Sequence, residues 1–212
     1  MIEYPKIETL FERDGNFVVT DTIRDQRYAM LADCKWVFTE KIDGTNIRII
    51  YSSGEFIIKG RTDNADIPKE LHSTITNMLV KRKHLFDSMF ADKTVTIYGE
   101  GYGAKIQSGG NYSGTQKFIA FDVMVENTWC EYHTFKSICD LLEIKRVPEL
   151  DISTIEEAVS LVRKGFNSSI GTAVAEGVVG RLPYNLYDNR GKRIIIKLKT
   201  KDFKIANRTM EG

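Results

Sequence analysis

The chain has 212 residues, 42% of them apolar, and a formal net charge of +1. That is enough apolar material for one large domain with a real core, and four prolines without a long polar tract exclude a disordered chain. No run of about 18 apolar residues is present to make a membrane-spanning helix, and residues 1–10 lack the basic start and apolar block of a signal peptide.

The first 35 residues are mixed. Phe17 to Thr20 reads as a short strand after the turn signal at Asp14-Gly15. Trp36 to Thr39 and Ile47 to Tyr51 are strand-forming runs on either side of the polar stretch Glu40-Lys41-Ile42-Asp43-Gly44-Thr45-Asn46. Ser52-Ser53-Gly54 is a tight turn, Glu55 to Gly60 the next strand, and Arg61 follows it. The spacing predicts a meander over Trp36 to Arg61, with Lys41 in a hairpin turn and Arg61 at the end of a paired strand. A lysine amine attacks only when unprotonated, so burial or nearby cations must free its lone pair. A carboxylate two residues on could hold a metal ion that bridges phosphate oxygens. A following glycine lets the backbone approach a phosphate. On spacing alone, a solvent-facing turn that happens to hold these residues and a surface arginine at position 61 fit as well.

Asp66 is the expected N-cap of a helix with Pro68 in its first turn and Leu71, Ile75, Met78 and Leu79 at core spacing. Lys81-Arg82-Lys83 is then a basic cluster near its end. Thr94 to Tyr98 is a strand, and Gly99, Gly101, Gly103, Gly109 and Gly110 mark a flexible or tightly turned loop around Glu100. Lys117 to Val125 is a strand. Within it Asp122 needs partners or a site, and Phe121 suits the core or the face of a base. Thr134 to Glu143 is a helix with Phe135, Ile138, Leu141 and Leu142 inward. Ser153 and Glu156 form the expected capping box of another, which stops at Gly165.

Glu176 is a carboxylate in a valine-rich strand. Arg193 to Phe203 is the last strand, and its Lys197 and Lys199, at i and i+2, share a face. Ile194, Ile196 and Leu198 take the other. Two adjacent ammonium groups repel unless an anion sits between them, although lysines also protect an exposed edge strand. Residues 181–212 hold nine Lys or Arg against three Asp or Glu, a net +6 that leaves −5 on the rest. This polarity suits phosphate or nucleic acid, and equally a solvated surface. Cys34, Cys130 and Cys139 lack metal-ligand spacing and read as reduced thiols of a cytoplasmic protein. No Walker motif and no zinc motif is present.

Taken in order, these pieces resemble the motif set of the covalent nucleotidyltransferases. Within them the chain is most similar to ATP-dependent RNA ligases of the nick-sealing phage and trypanosome RNA-editing type. Lys41-Ile42-Asp43-Gly44 matches the nucleophile motif, with Glu40 before it. Asn46 stands where DNA ligases and capping enzymes have arginine, and Asp43 where the nick-sealing phage enzymes often have histidine. Gly60-Arg61 matches the arginine motif that contacts the nucleotide and the strand end. Glu100 matches the ribose-binding glutamate, Phe121 the aromatic that stacks on adenine, Glu176 the metal-holding glutamate, and Lys197 with Lys199 the pair that contacts the α-phosphate.

The resemblance implies an α+β fold, an ATP-grasp-like nucleotidyltransferase domain of mainly antiparallel sheets with flanking helices and the nucleotide in a groove between the sheets. It covers essentially the whole chain, so a single domain over residues 1–212 is expected. Many ligases carry a further C-terminal OB-type domain, but only about a dozen residues follow Lys199, too few for one, so no appended domain is expected and an accessory partner is left open. The implied cofactors are ATP, carried as a lysyl-AMP on Lys41, and Mg2+ or Mn2+, with Asp43 and Glu176 as the metal residues. Glu40, Lys41, Asn46, Arg61, Glu100, Phe121, Glu176, Lys197 and Lys199 are the implied nucleotide-binding residues. The implied partner is RNA with 5′-phosphate and 3′-hydroxyl ends, including a nicked duplex, in the cytoplasm of a bacterial or phage-infected cell. A DNA ligase, a GTP-dependent capping-type enzyme and a non-catalytic end-binding module stay open as alternatives.

Overall fold

The computed structural model describes residues 2–15 and 19–203. In chain order the elements are β1 (Glu8–Thr9), β2 (Phe11–Arg13), β3 (Val19–Ile23), α1 (Gln26–Met30), β4 (Val37–Lys41), β5 (Thr45–Ser52) and β6 (Glu55–Lys59). Then come α2 (Lys69–Phe90), β7 (Val95–Tyr102), β8 (Lys117–Val125), β9 (Thr128–Trp129), α3 (Tyr132–Leu141), α4 (Ile155–Lys164), β10 (Gly177–Arg181) and β11 (Ile195–Lys199). These strands form a four-stranded sheet in the order β1-β11-β10-β4, a two-stranded ribbon β2-β3 and a five-stranded sheet β6-β5-β7-β8-β9. Every strand pairing is antiparallel except β1 with β11. The chain packs as two compact units, one of residues 2–5, 43–147 and 170–173, the other of residues 6–42, 148–169 and 174 onward. No helix among the described residues is long and apolar enough to cross a membrane.

The first unit is built on the five-stranded sheet. Ile47, Ile49 and Tyr51 alternate along β5 onto the face that α2 covers with its buried Leu71, Ile75, Leu79, Phe86 and Phe90. Tyr51 lies against Phe86, ring centroids 5.5 Å apart, and its hydroxyl donates to Asp87 at 2.8 Å. Asn46, Arg48 and Ile50 take the opposite face. β5 and β6 form the expected hairpin, turning through Ser53 and Gly54 with φ of 50° and 83°. Two positive φ angles match the right-handed twist of the paired strands.

The second unit is built on the four-stranded sheet. Phe38 of β4, Val178 of β10 and Ile196 and Leu198 of β11 project from one face. They form a core with Ala158 and Val162 of α4, together with Trp36, Leu10 and Phe203. Fully burying side chains of this size contributes roughly 1.5–3 kcal/mol each.

Several expectations are corrected. β4 and β5 do not pair: β4 lies against β10 and β5 against β7, so the meander starts only at β5. The segment 42–44 is a crossing from one sheet to the other. There Gly44 takes the close approach, because a Cβ on it would stand 2.2 Å from the Gly101 carbonyl oxygen. Asp66 does not cap α2. Pro68 holds the N-cap position without a side-chain hydrogen bond. The helix runs on to Phe90 because Phe86 and Phe90 continue its buried stripe, which puts Lys81–Lys83 in mid-helix, with Lys83 paired to Asp87.

Gly99 and Gly101 belong to strand β7 and not to a loop, and Leu71 packs down onto Gly101 where any side chain would stand. Leu141 is 62% exposed, not inward. The capping box of α4 is Thr154 with Glu157, one residue later than expected. The last strand ends at Lys199, and residues 200–203 turn helical. Of the early strand, Val19 and Thr20 are in β3, while Phe17 and Val18 lie outside the described residues, as does the basic tail from residue 204 on.

Candidate active site

Lys41 is the last residue of β4. Across the sheet it faces Gly177, which faces Lys199, and one rung further Thr39 faces Val179, which faces Lys197. With Ile196 and Leu198 turned into the core, strand alternation puts Lys41, Lys197 and Lys199 together on the other face. β11 is an interior strand, held between β1 and β10, so its lysines are not edge protection. Glu176 precedes β10 by one residue. Its backbone still continues the ladder, since the Thr200 N–H donates to its carbonyl at 2.9 Å. Lys41 Nζ donates to Glu176 Oε2 at 2.5 Å, and Lys199 Nζ lies 2.7 Å from Oε1. The three side chains are 23%, 14% and 21% exposed, which leaves them open to a ligand.

Gly177 makes this cluster possible. Its φ is +152°, and a Cβ there would sit 1.9 Å from the Leu198 carbonyl oxygen. Only glycine lets the Glu176 backbone run so close to the lysine strand.

Lys41 and Lys199 share the one carboxylate of Glu176, and Lys197 feels the charge of both lysines, so positive charge is in surplus. Burial, together with the Lys199 and Lys41 charges, pushes the Lys197 amine down to about 8. For Glu176, burial raises the carboxyl, but Lys41 and Lys199 more than offset it and the net shift is downward. A phosphate in this place would relieve the repulsion. Lys197 in the free protein is therefore expected to react with an amine-selective reagent with a midpoint near pH 8. Bound phosphate should move that midpoint up, which peptide mapping after modification at stepped pH would read. A midpoint unmoved by phosphate would show that no anion reaches Lys197.

The remaining residues singled out from the sequence fall differently. Glu40 turns to the core side of β4, 1% exposed, and its Oε2 accepts from the Ser169 backbone N–H at 3.1 Å and from its hydroxyl at 3.3 Å. It is thus on the opposite strand face from Lys41, and Oε1 has no partner among the described residues. In the five-stranded unit, Asn46 and Glu100 are directly opposed on β5 and β7. Asn46 Oδ1 is buried with no partner among the described residues.

Arg61 is exposed just past β6. Phe121 falls at a bulge, where the register shifts between the pairs Tyr98–Asp122 and Gly99–Ala120. Its ring meets Tyr4 edge-on at 4.9 Å. Asp122 beside it accepts the Tyr4 hydroxyl at 2.8 Å, a structural role for that buried carboxylate. Asp43 Oδ2 accepts the Ser108 backbone N–H at 3.4 Å. Sequence reasoning gave no role to two residues that the structure brings forward, Gly177 and Arg48. The first had a signal, a glycine next to the predicted glutamate.

Among the described residues no group of three or more His, Cys, Asp or Glu could cage a metal ion. The lysine cluster instead offers one carboxylate, Glu176. Magnesium is ordinarily bound by one or two carboxylates plus substrate phosphates, so this donor set fits an ion that arrives with a nucleotide.

Residues 34–199 match the protein-family model described as RNA ligase. The chain belongs to the RNA ligase family. Its fold is also that of solved RNA ligases from Naegleria gruberi. The structure with PPi is 18% identical with a TM-score of 0.66, covering 98% of this chain and 60% of that one. A mutant with AMP and Mn is 18% identical with a TM-score of 0.67, covering 97% and 60%. A mutant with ATP and Mn is 16% identical with a TM-score of 0.66, covering 97% and 63%. This RNA-ligase-family chain therefore spans about 60% of the length of the structures it resembles. No curated protein matches the sequence.

Proposed function

We propose that the protein is an ATP-dependent RNA ligase. Family membership supports the class, and the ion-paired set Lys41–Glu176–Lys199, with Lys197 beside it, is the observation that carries the chemistry. Lys41 Nζ attacks the α-phosphorus of ATP. A nitrogen–phosphorus bond forms, the bond to the bridging oxygen breaks, and pyrophosphate leaves with the electron pair. Before the attack the Lys41 ammonium gives up a proton to free its lone pair, and Glu176 Oε2, 2.5 Å away, is the acceptor at hand. Lys197 and Lys199 hold the α-phosphate oxygens, where charge grows as the bond is made. Asn46, Glu100 and Phe121 bind the nucleoside, and Arg61 contacts phosphate. The 5′-phosphate of an RNA end then displaces Lys41 from the AMP, and a 3′-hydroxyl displaces AMP from that activated end. Glu176 would hold a divalent ion that arrives with the nucleotide, and that ion would supply charge neutralisation at the phosphates. The relatives solved with ATP, AMP and Mn support this choice of nucleotide and metal.

The test supplies labelled RNA with 5′-phosphate and 3′-hydroxyl ends, as a nicked duplex and as a single strand, together with ATP and magnesium. Adenylated 5′ ends and joined product are expected, lost when either end group is removed. The nicked duplex, which holds both ends in register, is expected to be joined faster. Folded protein that takes AMP from ATP but forms neither product would end the RNA-joining part of this reading. Label taken from GTP in place of ATP would end the adenylate part.

A further inference from the structure

Arg48 sits in the middle of β5, and its side chain is 0% exposed. A guanidinium so buried is costly unless it is held by hydrogen bonds. Its partners lie in one short segment, the four residues after β6. Nε donates to the Gly60 carbonyl at 2.9 Å, and Nη2 donates to Asp63 Oδ1 at 2.8 Å. The guanidinium is rigid and planar, so gripping both ends of Gly60-Arg61-Thr62-Asp63 sets the shape of the segment between them. Two further bonds tighten it, Lys59 Nζ to the Asp63 carbonyl at 3.4 Å and the Ala65 N–H to the Thr62 carbonyl at 3.3 Å. Arg61 lies inside this clasp with its own side chain exposed. Arg48 also shares a strand face with Asn46, two residues earlier, whose partner across the sheet is Glu100. The clasp thus joins the Asn46–Glu100 row to the Arg61 segment.

We propose that Arg48 and Asp63 are positioning residues, a clasp that presents the Arg61 guanidinium to a phosphate of the nucleotide or RNA end. This rests on the ligase reading above and on the phosphate-contacting role given there to Arg61. The lowering of the Asp63 carboxyl, caused first by its hydrogen bond to Arg48, agrees with a standing ion pair.

A double-mutant cycle tests it. Asp63 is 53% exposed, so Asp63→Asn removes the charge from one side of the clasp, leaving only a weaker neutral acceptor, without opening a cavity. Rates of label transfer from α-phosphate-labelled ATP, half-saturating ATP and melting temperature are measured for wild type, Asp63→Asn, Arg61→Ala and the double variant. Asp63→Asn is expected to slow label transfer about tenfold, in proportion to the coupling usual between residues in direct contact. Its melting temperature should stay near that of wild type, and it should cost nothing further once Arg61 is alanine. Asp63→Glu should recover part of the rate. Arg48→Lys keeps the charge but loses the two-pronged geometry, and should fall as Asp63→Asn does.

Losses that multiply in the double variant would overturn the positioning role. So would full activity in Asp63→Asn, or an Arg61→Ala protein that labels as wild type does. Wild-type protein that takes no label from ATP would instead bring down the ligase reading itself, and the clasp with it.

Discussion

The Lys41→Ala protein is expected to take no label from α-phosphate-labelled ATP, a fall of at least about 10³-fold, as for loss of an enzyme's nucleophile. The reason is positional. Lys199 is two strands away, about 10 Å at the backbone, and its ammonium is engaged by the other oxygen of Glu176. Lys197 stands one rung back. Neither is placed at the end of β4, where the chain leaves the sheet. The fold should survive, because Lys41 is part-exposed and Glu176 keeps Lys199 as a partner. The measurement is label on denatured protein after incubation with ATP and magnesium, alongside a melting curve. Undiminished label in the folded variant would remove Lys41 from the mechanism.

The second large effect is expected from Glu176→Gln. It removes the carboxylate that Lys41 and Lys199 share, the group proposed above to hold an ion that comes with the nucleotide. Label transfer should fall by about 10²-fold or more, as for loss of a charge-stabilising group at a reaction centre. Stability carries an independent signature. The Glu176 carboxyl is lowered in the folded protein: burial raises it, but Lys41 and Lys199 more than offset that. A lowered carboxyl contributes stability that is fully present above its ordinary value of 4.5 and is lost as pH falls through the folded value. Wild type should therefore melt higher than Glu176→Gln at pH 7, and the gap should close as pH drops below about 4.5. A gap that stayed constant down to pH 3 would mean that the Lys41–Glu176–Lys199 pairing adds nothing to the fold.

The lysine pair shows what one-dimensional pattern can deliver. Lys197 and Lys199 alternate with Ile196 and Leu198, and a period of two is a property of the strand itself. The shared face and the buried face were legible before any partner strand was known. The β5–β6 hairpin was equally local, because Ser53-Gly54 supplies the positive φ angles its turn needs. The order of the motifs from Lys41 to Lys199 was legible too, and it pointed to the RNA ligase family, to which the chain belongs. Helix ends were less secure. The stripe of α2 continues to Phe86 and Phe90, but a basic run at Lys81–Lys83 looked like a terminus because cations often gather there.

Neighbours were a different matter. Alternation reports which face of a strand is buried but not which strand lies beside it, so β4 and β5 read as a hairpin although they belong to different sheets. The same limit hid the meeting of Lys41 with Glu176, 135 residues apart, across a glycine that admits no side chain. It also hid the turn of Glu40 toward Ser169 and the grip of Arg48 on the segment 60–63. An arginine in a strand looks like surface charge until its partners, 12 and 15 residues further on, are folded back onto it. Sequence by itself determined the local periods, the turn chemistry and the family. Only tertiary structure decided which charges meet, because pairing depends on distances that long-range contacts create.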